Sequence, residues 1–261
     1  MQNTEFLIIF PTFLRLNVVS KVLPSIIEEV ARTNNSKLMV IDNSIHNEEK
    51  RNYLLDLRRE HDFFLLVSDN TSYAHARNIG LTLGQEMYVP EYICILDDDH
   101  GLKPGFIRAM IKAMNKYYGK KAPTGLRYGM FTSCHVHSPP RNLERIGLSK
   151  HYYPDYEGDG LRPFEVSGAN GCCRVAPTHH WTNVLGLYCP DEYPISNYQA
   201  SRPRWRNYHR GYTAMYVGNP GEYMFDFDEE EARGYMVPQE QRLWDGTYTK
   251  SDKRAKYKRI E

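Results

Sequence analysis

The chain lacks several features that would place it quickly. Its five cysteines, Cys94, Cys134, Cys172, Cys173 and Cys189, contain no C-x-x-C pair. An odd count without framework spacing excludes a disulfide scaffold and fits a reducing compartment. No apolar run approaches the roughly 18 residues that a membrane-spanning helix needs. The first residues, Met1 to Glu5, carry no basic n-region, and the apolar run after them breaks at Pro11 and Thr12, so no signal peptide is expected. An excess of one charge is missing too: 33 Lys and Arg face 32 Asp and Glu, which argues against nucleic acid or another polyanion as partner. No glycine lies in Pro11-Thr12-Phe13-Leu14-Arg15, so the first apolar run is not followed by a glycine-rich phosphate loop. No internal repeat is present. These absences leave a cytosolic globular protein as the expectation.

What is present points to an α/β domain. With 261 residues, 41% of them hydrophobic and 25% charged, the chain can bury one large core. Residues 6–10, 38–41, 63–67 and 92–96 are short, continuously apolar runs, which read as parallel strands buried on both faces. Between the first two, Val18, Val22, Leu23, Ile26, Ile27 and Val30 recur at helical spacing, with Asn17 as N-cap and Pro24 predicting a kink, or a short first turn followed by a longer helix. Phe106, Ile107, Met110, Ile111, Met114 and Tyr117 make another amphipathic helix, entered through Pro104-Gly105. This alternation predicts a doubly wound, mostly parallel sheet with ligands at the carboxyl ends of its strands. Residues 129–134 read as a further strand, and 138–163 have the polar, Pro-, Gly- and Tyr-rich composition of an ordered active-site loop or lid. The expected organisation is one domain in two halves, 1–110 and a less regular 111–249, followed by a basic tail, 250–261. That tail allows at most peripheral contact with a membrane surface.

Asp97-Asp98-Asp99 directly follows the run 92–96. Three adjacent carboxylates repel one another and are costly to desolvate, so a compensating cation is expected. In an extended backbone Asp97 and Asp99 share a face and can share one divalent ion. Asp42 also follows an apolar run, which puts both acidic positions at strand ends. A solvated acidic turn is the plainer alternative for the triplet, and an Asx-turn or helix N-cap is the plainer alternative for Asp42. His135 and His137 flank Val136, and without further spaced ligands they do not make a metal centre.

The segments Phe10-Pro11-Thr12-Phe13-Leu14-Arg15, Val40-Ile41-Asp42-Asn43-Ser44, Asn70 to Leu81 (NTSYAHARNIGL) and Ile95 to Pro104 (ILDDDHGLKP) occur in this order. In order and spacing they resemble nucleotide-sugar glycosyltransferases of the GT-A fold, family 2 type. The resemblance implies a metal-dependent, inverting transfer of a sugar from a nucleoside-diphosphate donor, a UDP-sugar first, to a glycan or other hydroxyl acceptor. It places Pro11, Thr12 and Arg15 along the base and ribose, and Asp42 on the base. Arg77 comes near the nucleotide and diphosphate, on a helix that Gly80 lets pack closely. Asp97 or Asp98 falls on the ribose, and Asp99 on Mn²⁺ or Mg²⁺. Downstream, Gly168, Ala169 and Asn170 match the sugar-side turn. Asp191 and Glu192 match the acidic pair that supplies the base, in reversed order and with a longer spacing to Gly211; the shorter Asp191 is the slightly preferred base. Two alternatives stand beside this reading: a sugar-phosphate nucleotidyltransferase, disfavoured by the glycine-free loop, and a non-catalytic carbohydrate-binding relative.

Overall fold

The computed structural model describes residues 4–68, 73–122, 124–133, 164–166, 172–188, 201–218 and 222–226. All of them belong to the first of two compact units, Met1–Asp226; the second, Phe227–Glu261, lies outside the described residues. The four apolar runs become β1 (Phe6–Thr12), β2 (Ser36–Asp42), β3 (Phe64–Val67) and β4 (Tyr92–Leu96). The first two extend further at their carboxyl ends than the apolar runs do. Thr12 and Asp42 are therefore the last residues of paired strands and stand directly opposite each other. β3 is only half-buried, contrary to the expectation for all four strands, because it forms the edge of the sheet.

The helices between these strands are α1 (Leu16–Arg32), α2 (Glu48–Glu60), α3 (Tyr73–Tyr88) and α4 (Phe106–Tyr117). One local expectation for α1 needs correction. The N-cap position is Arg15, not Asn17, and it has no side-chain cap, because a guanidinium has no acceptor for the first helical N–H groups. The helix also runs on through Pro24. The Ser20 carbonyl, which Pro24 cannot bond, accepts from the Tyr53 hydroxyl at 3.5 Å instead. One cap was not foreseen: the buried Glu29 carboxylate of α1 accepts from Gly105 N and Ile107 N, each at 3.0 Å, and closes the start of α4.

The later elements are β5 (His100–Leu102), β6 (Arg127–Thr132), β7 (Phe164–Val166), β8 (Cys173–Pro177), the short α5 (Thr178–His180) passing into a π-helical turn (Trp181–Leu185), α6 (Ser201–His209), β9 (Tyr212–Tyr216) and β10 (Met224–Asp226). Eight strands form one sheet in the order β3-β2-β1-β4-β8-β6-β9-β7, and β10 pairs with β5. The β3-β2-β1-β4 half is parallel as expected. β8 then runs antiparallel to both β4 and β6, so the second half is mixed. Leaving β1, the chain builds β2 and β3 on one side and β4 on the other. That reversal opens a crevice at the carboxyl ends of β1 and β4. No helix among the described residues is long and apolar enough to cross a membrane.

β1 divides the core. Phe6, Ile8 and Phe10 pack toward α1 and α4, and Leu7 and Ile9 pack toward α3. Burying one such side chain stabilises the fold by about 1.5–3 kcal/mol. A Cβ on Gly80 would collide with the Ile9 side chain, and one on Gly84 with Leu7. The two glycines let α3 lie against the sheet at backbone distance, which brings the residues at its start to the crevice.

Candidate active site

The triplet leaves β4 in a turn, not in an extended strand. Asp97 N donates to Cys172 O at 2.8 Å, and His100 N donates back to Asp97 O at 3.2 Å. The turn sends the three carboxylates to different partners. Asp97 takes the guanidinium of Arg77. Asp98 accepts from the Thr12 hydroxyl at 2.9 Å, from Phe13 N at 3.2 Å and from Arg15. Asp99 lies 2.5 Å from His100 Nδ1 and 3.5 Å from Arg15. The shared face expected for Asp97 and Asp99 is thus replaced by separate ion pairs, and the compensating cations in the fold are arginines. Side-chain exposure separates the three: 23% for Asp97, 7% for Asp98 and 33% for Asp99.

Electrostatics separate them further. Burial pushes the Asp97 carboxyl above the usual range; Arg77 opposes the shift and Asp99 adds to it. Burial acts on Asp99 in the same direction, but His100 and Arg15 outweigh it and hold that carboxyl below the usual range. Neighbouring acids pushed apart in this way are common where charge is handled chemically. Arg77 is fully buried; burial lowers its pKa and Asp97 counters the effect.

Opposite the triplet, the glycine-free loop is held by its surroundings. Leu14 adopts φ 59°, uncommon for a residue with a Cβ, and donates its N–H to Ser44 Oγ at 3.2 Å. This bend returns Arg15 across the end of β4. Asp42 forms the Asx-turn weighed from the sequence, its Oδ1 accepting from Ser44 N at 3.1 Å and also bonding the Ser44 hydroxyl. The same Oδ1 lies 2.9 Å from Lys50 Nζ, and both side chains are 0% exposed. Lys50 also reaches Thr12 Oγ1 at 2.9 Å and Ser44 Oγ at 3.1 Å. Burial lowers its pKa, and Asp42 opposes that shift. Pro11, one residue before Thr12, is buried opposite Ile41 in the β1–β2 ladder.

Sequence reasoning missed three groups. Lys50 carried one faint signal: a cation in the first turn of α2 runs against the helix dipole. Arg174 on β8 is buried beside Ile95 and donates to the Tyr188 hydroxyl at 3.0 Å; the Arg77 guanidinium lies 5.6 Å from the Tyr188 ring centre. Asn78 donates to Tyr188 O and accepts from Tyr188 N, each at 2.8 Å. No pattern in the sequence joins residues 110 apart.

Asp191, Glu192, Gly168, Ala169 and Asn170 lie outside the described residues, as do His135 and His137. Among the described residues no cluster of three His, Cys, Asp or Glu side chains could hold a metal by itself. The donor set does fit a hard divalent ion completed by substrate phosphates. Asp99 is a low-pKa carboxylate with a third of its side chain open, and Mg²⁺-type ions are held by one or two carboxylates plus phosphate oxygens.

Three solved structures share the architecture. Residues 1–349 of S. aureus TarS superpose with a TM-score of 0.57 at 9% identity, covering 89% of this chain and 63% of that one. The mannosyltransferase PcManGT of Pyrobaculum calidifontis, in complex with GDP-Man and Mn²⁺, gives 0.55 at 15%, covering 84% and 56%. GalNAc-T7 with UDP, GalNAc and Mn²⁺ gives 0.53 at 13%, covering 82% and 41%. The present chain therefore spans less than two thirds of each, and at such identity the likeness concerns the GT-A fold alone. No curated protein matches the sequence significantly. The profile of glycosyl transferase family 2, however, matches residues 7–176. This match runs from β1 into β8 and takes in the residues gathered at the crevice, whereas Tyr188, Asp191 and Glu192 lie beyond it; the chain belongs to glycosyl transferase family 2.

Proposed function

We propose that this protein is a metal-dependent, inverting glycosyltransferase that moves a sugar from a nucleotide-sugar donor, a UDP-sugar first, to a hydroxyl acceptor. One observation carries the reading. Thr12, Arg15, Asp42, Arg77 and the 97–99 triplet come from four separate segments, and all gather at the carboxyl ends of the adjacent strands β1, β2 and β4. Asp97 is the better candidate for the ribose, because Asp98 is closed off by Thr12, Phe13 and Arg15. Asp99 would hold the divalent ion, which when bound neutralises charge on the departing diphosphate. Mn²⁺ accompanies the nucleotide in the PcManGT and GalNAc-T7 structures, which supports this choice of ion. Arg15 and Arg77 supply further positive charge beside that position.

The incoming hydroxyl must also lose its proton. Asp191 or Glu192, by resemblance, takes it on the opposite face of the sugar, a contribution of about 10²–10⁴-fold. Attack from that face inverts the anomeric centre. The deciding assay is donor hydrolysis and transfer across a panel of UDP-, GDP- and other nucleotide sugars, with Mn²⁺ or with EDTA. Turnover that needs Mn²⁺ or Mg²⁺ and favours one donor supports the proposal; binding and turnover of none of them overturns it. Asp191→Asn and Glu192→Gln, measured separately, identify the base: its loss abolishes transfer and leaves nucleotide affinity intact.

A further inference from the structure

We infer that Lys50 is a positioning residue that sets which bases the donor site accepts, by holding Asp42 as an ionised, acceptor-only carboxylate. The inference rests on the proposed contact between Asp42 and the base, and extends it to a residue that never meets the ligand. An ammonium has three protons, and Lys50 has three acceptors for them: Asp42 Oδ1, Thr12 Oγ1 and Ser44 Oγ. All three of its protons are taken inside the fold, so Lys50 has none to offer a ligand. Its neighbours are committed as well. Thr12 gives its own proton to Asp98, and Ser44 Oγ also accepts from Leu14 N. The carboxylate is pinned through Oδ1 alone.

Asp42 Oδ2 is the remainder. It is buried and has no hydrogen-bond partner among the described residues. A buried acceptor without a donor is costly, and in a native structure it calls for an explanation. A ring N–H supplies the missing donor. Away from water a carboxylate stays ionised only beside a cation, and Lys50 is the cation bonded to this one. While it remains ionised, Asp42 can accept and cannot donate. Uracil, through N3–H, and guanine, through N1–H, then complete the pair. Cytosine N3 and adenine N1 are acceptors and would face Oδ2 lone pair to lone pair. Without Lys50 the carboxylate loses the cation that fixes Oδ1 and keeps Oδ2 turned to the base, and the discrimination weakens.

The test uses nucleoside diphosphates without sugar, titrated calorimetrically into the full chain: UDP against CDP, and GDP against ADP. Wild type should favour the N–H-bearing base in whichever pair binds, by about tenfold or more. Asp42→Ala should erase that preference, and Lys50→Met should shrink it severalfold. Lys50→Gln keeps most of the length and two donors, and serves if Lys50→Met does not fold. If neither folds, Lys50→Met combined with Asp42→Asn removes both charges together and should bind the two members of a pair equally. Preference surviving in Asp42→Ala would remove the base contact itself, and the inference with it. Preference lost in Asp42→Ala yet intact in the Lys50 variants would overturn the role of Lys50 alone. A wild-type preference for CDP or ADP, or an unchanged preference in the double variant, overturns it as well.

Discussion

Asp42 and Asp99 sit at the ends of two strands that both flank β1, and each is an acid beside a cation. The environments differ sharply. Asp42 and Lys50 are sealed at 0% exposure, whereas Asp99 keeps a third of its side chain open beside Arg15 and His100. A sealed pair has already lost its water, so removing one member leaves a bare charge in the interior. An open acid can exchange water for a ligand at little cost to the fold. The sealed site should therefore report on stability first and the open one on chemistry first.

The largest effect expected from that contrast is at Lys50. Lys50→Met strands the Asp42 carboxylate and should cost about 3–5 kcal/mol in denaturant unfolding. Combining it with Asp42→Asn should recover a large part of the loss. Equal stability of the single variant and the wild type would mean that the pair is not sealed in solution. Next comes Asp99→Asn, which keeps shape and removes charge. Turnover should fall by about 10²–10³-fold, while unfolding shifts by less than in Lys50→Met. Full activity in this variant, or in EDTA, would end the case for a metal at Asp99.

The mixed half of the sheet offers a sealed group of the opposite kind, a neutral one. His180 is buried between the Tyr118 hydroxyl, 3.1 Å from Nδ1, and Asn207 Oδ1, 2.8 Å from Nε2. Burial lowers its pKa from 6.5 to about 4. Because the folded value lies below the unfolded one, protons favour the unfolded chain, and stability is lost as pH falls from 6.5 toward 4. The full loss is up to about 3 kcal/mol. His180→Gln should flatten the part of the acid profile inside that window; parallel profiles for the two proteins would assign the slope to other groups. The smallest effect is steric. Gly80→Ala forces a methyl group against Ile9 and should cost about 1–3 kcal/mol, with donor affinity reduced because Arg77 rides on the same helix.

The legible and illegible parts divide along the same line. Continuous apolar runs revealed the four parallel strands, and the acids at their ends revealed the crevice, because both signals are local. The close approach of α3 was legible at Gly80 for the same reason. The antiparallel insertion of β8 between β4 and β6 was not, since strand direction depends on partners more than 40 residues away. Lys50 was hidden because a lysine in the first turn of a charged helix looks like a solvated one until Asp42 folds over it. Asn78 and Arg174 were hidden by distance along the chain, as both act on Tyr188. The N-cap at Asn17 failed because Arg15, which was expected only at a ligand, begins the helix while its side chain ties down the triplet.

The bend at Leu14 bears on how tightly this crevice can hold anything. Its backbone is fixed in an unusual conformation by Ser44, and the flanking Phe13 and Arg15 are tied to Asp98 before any ligand arrives. The entropy of ordering that loop is thus lost during folding and is not charged again to association. A rigid rim of this kind cannot mould itself around a poor fit. It should select among nucleotides by shape, and segment 11–15 should keep its backbone within about 1 Å between the free and the occupied protein.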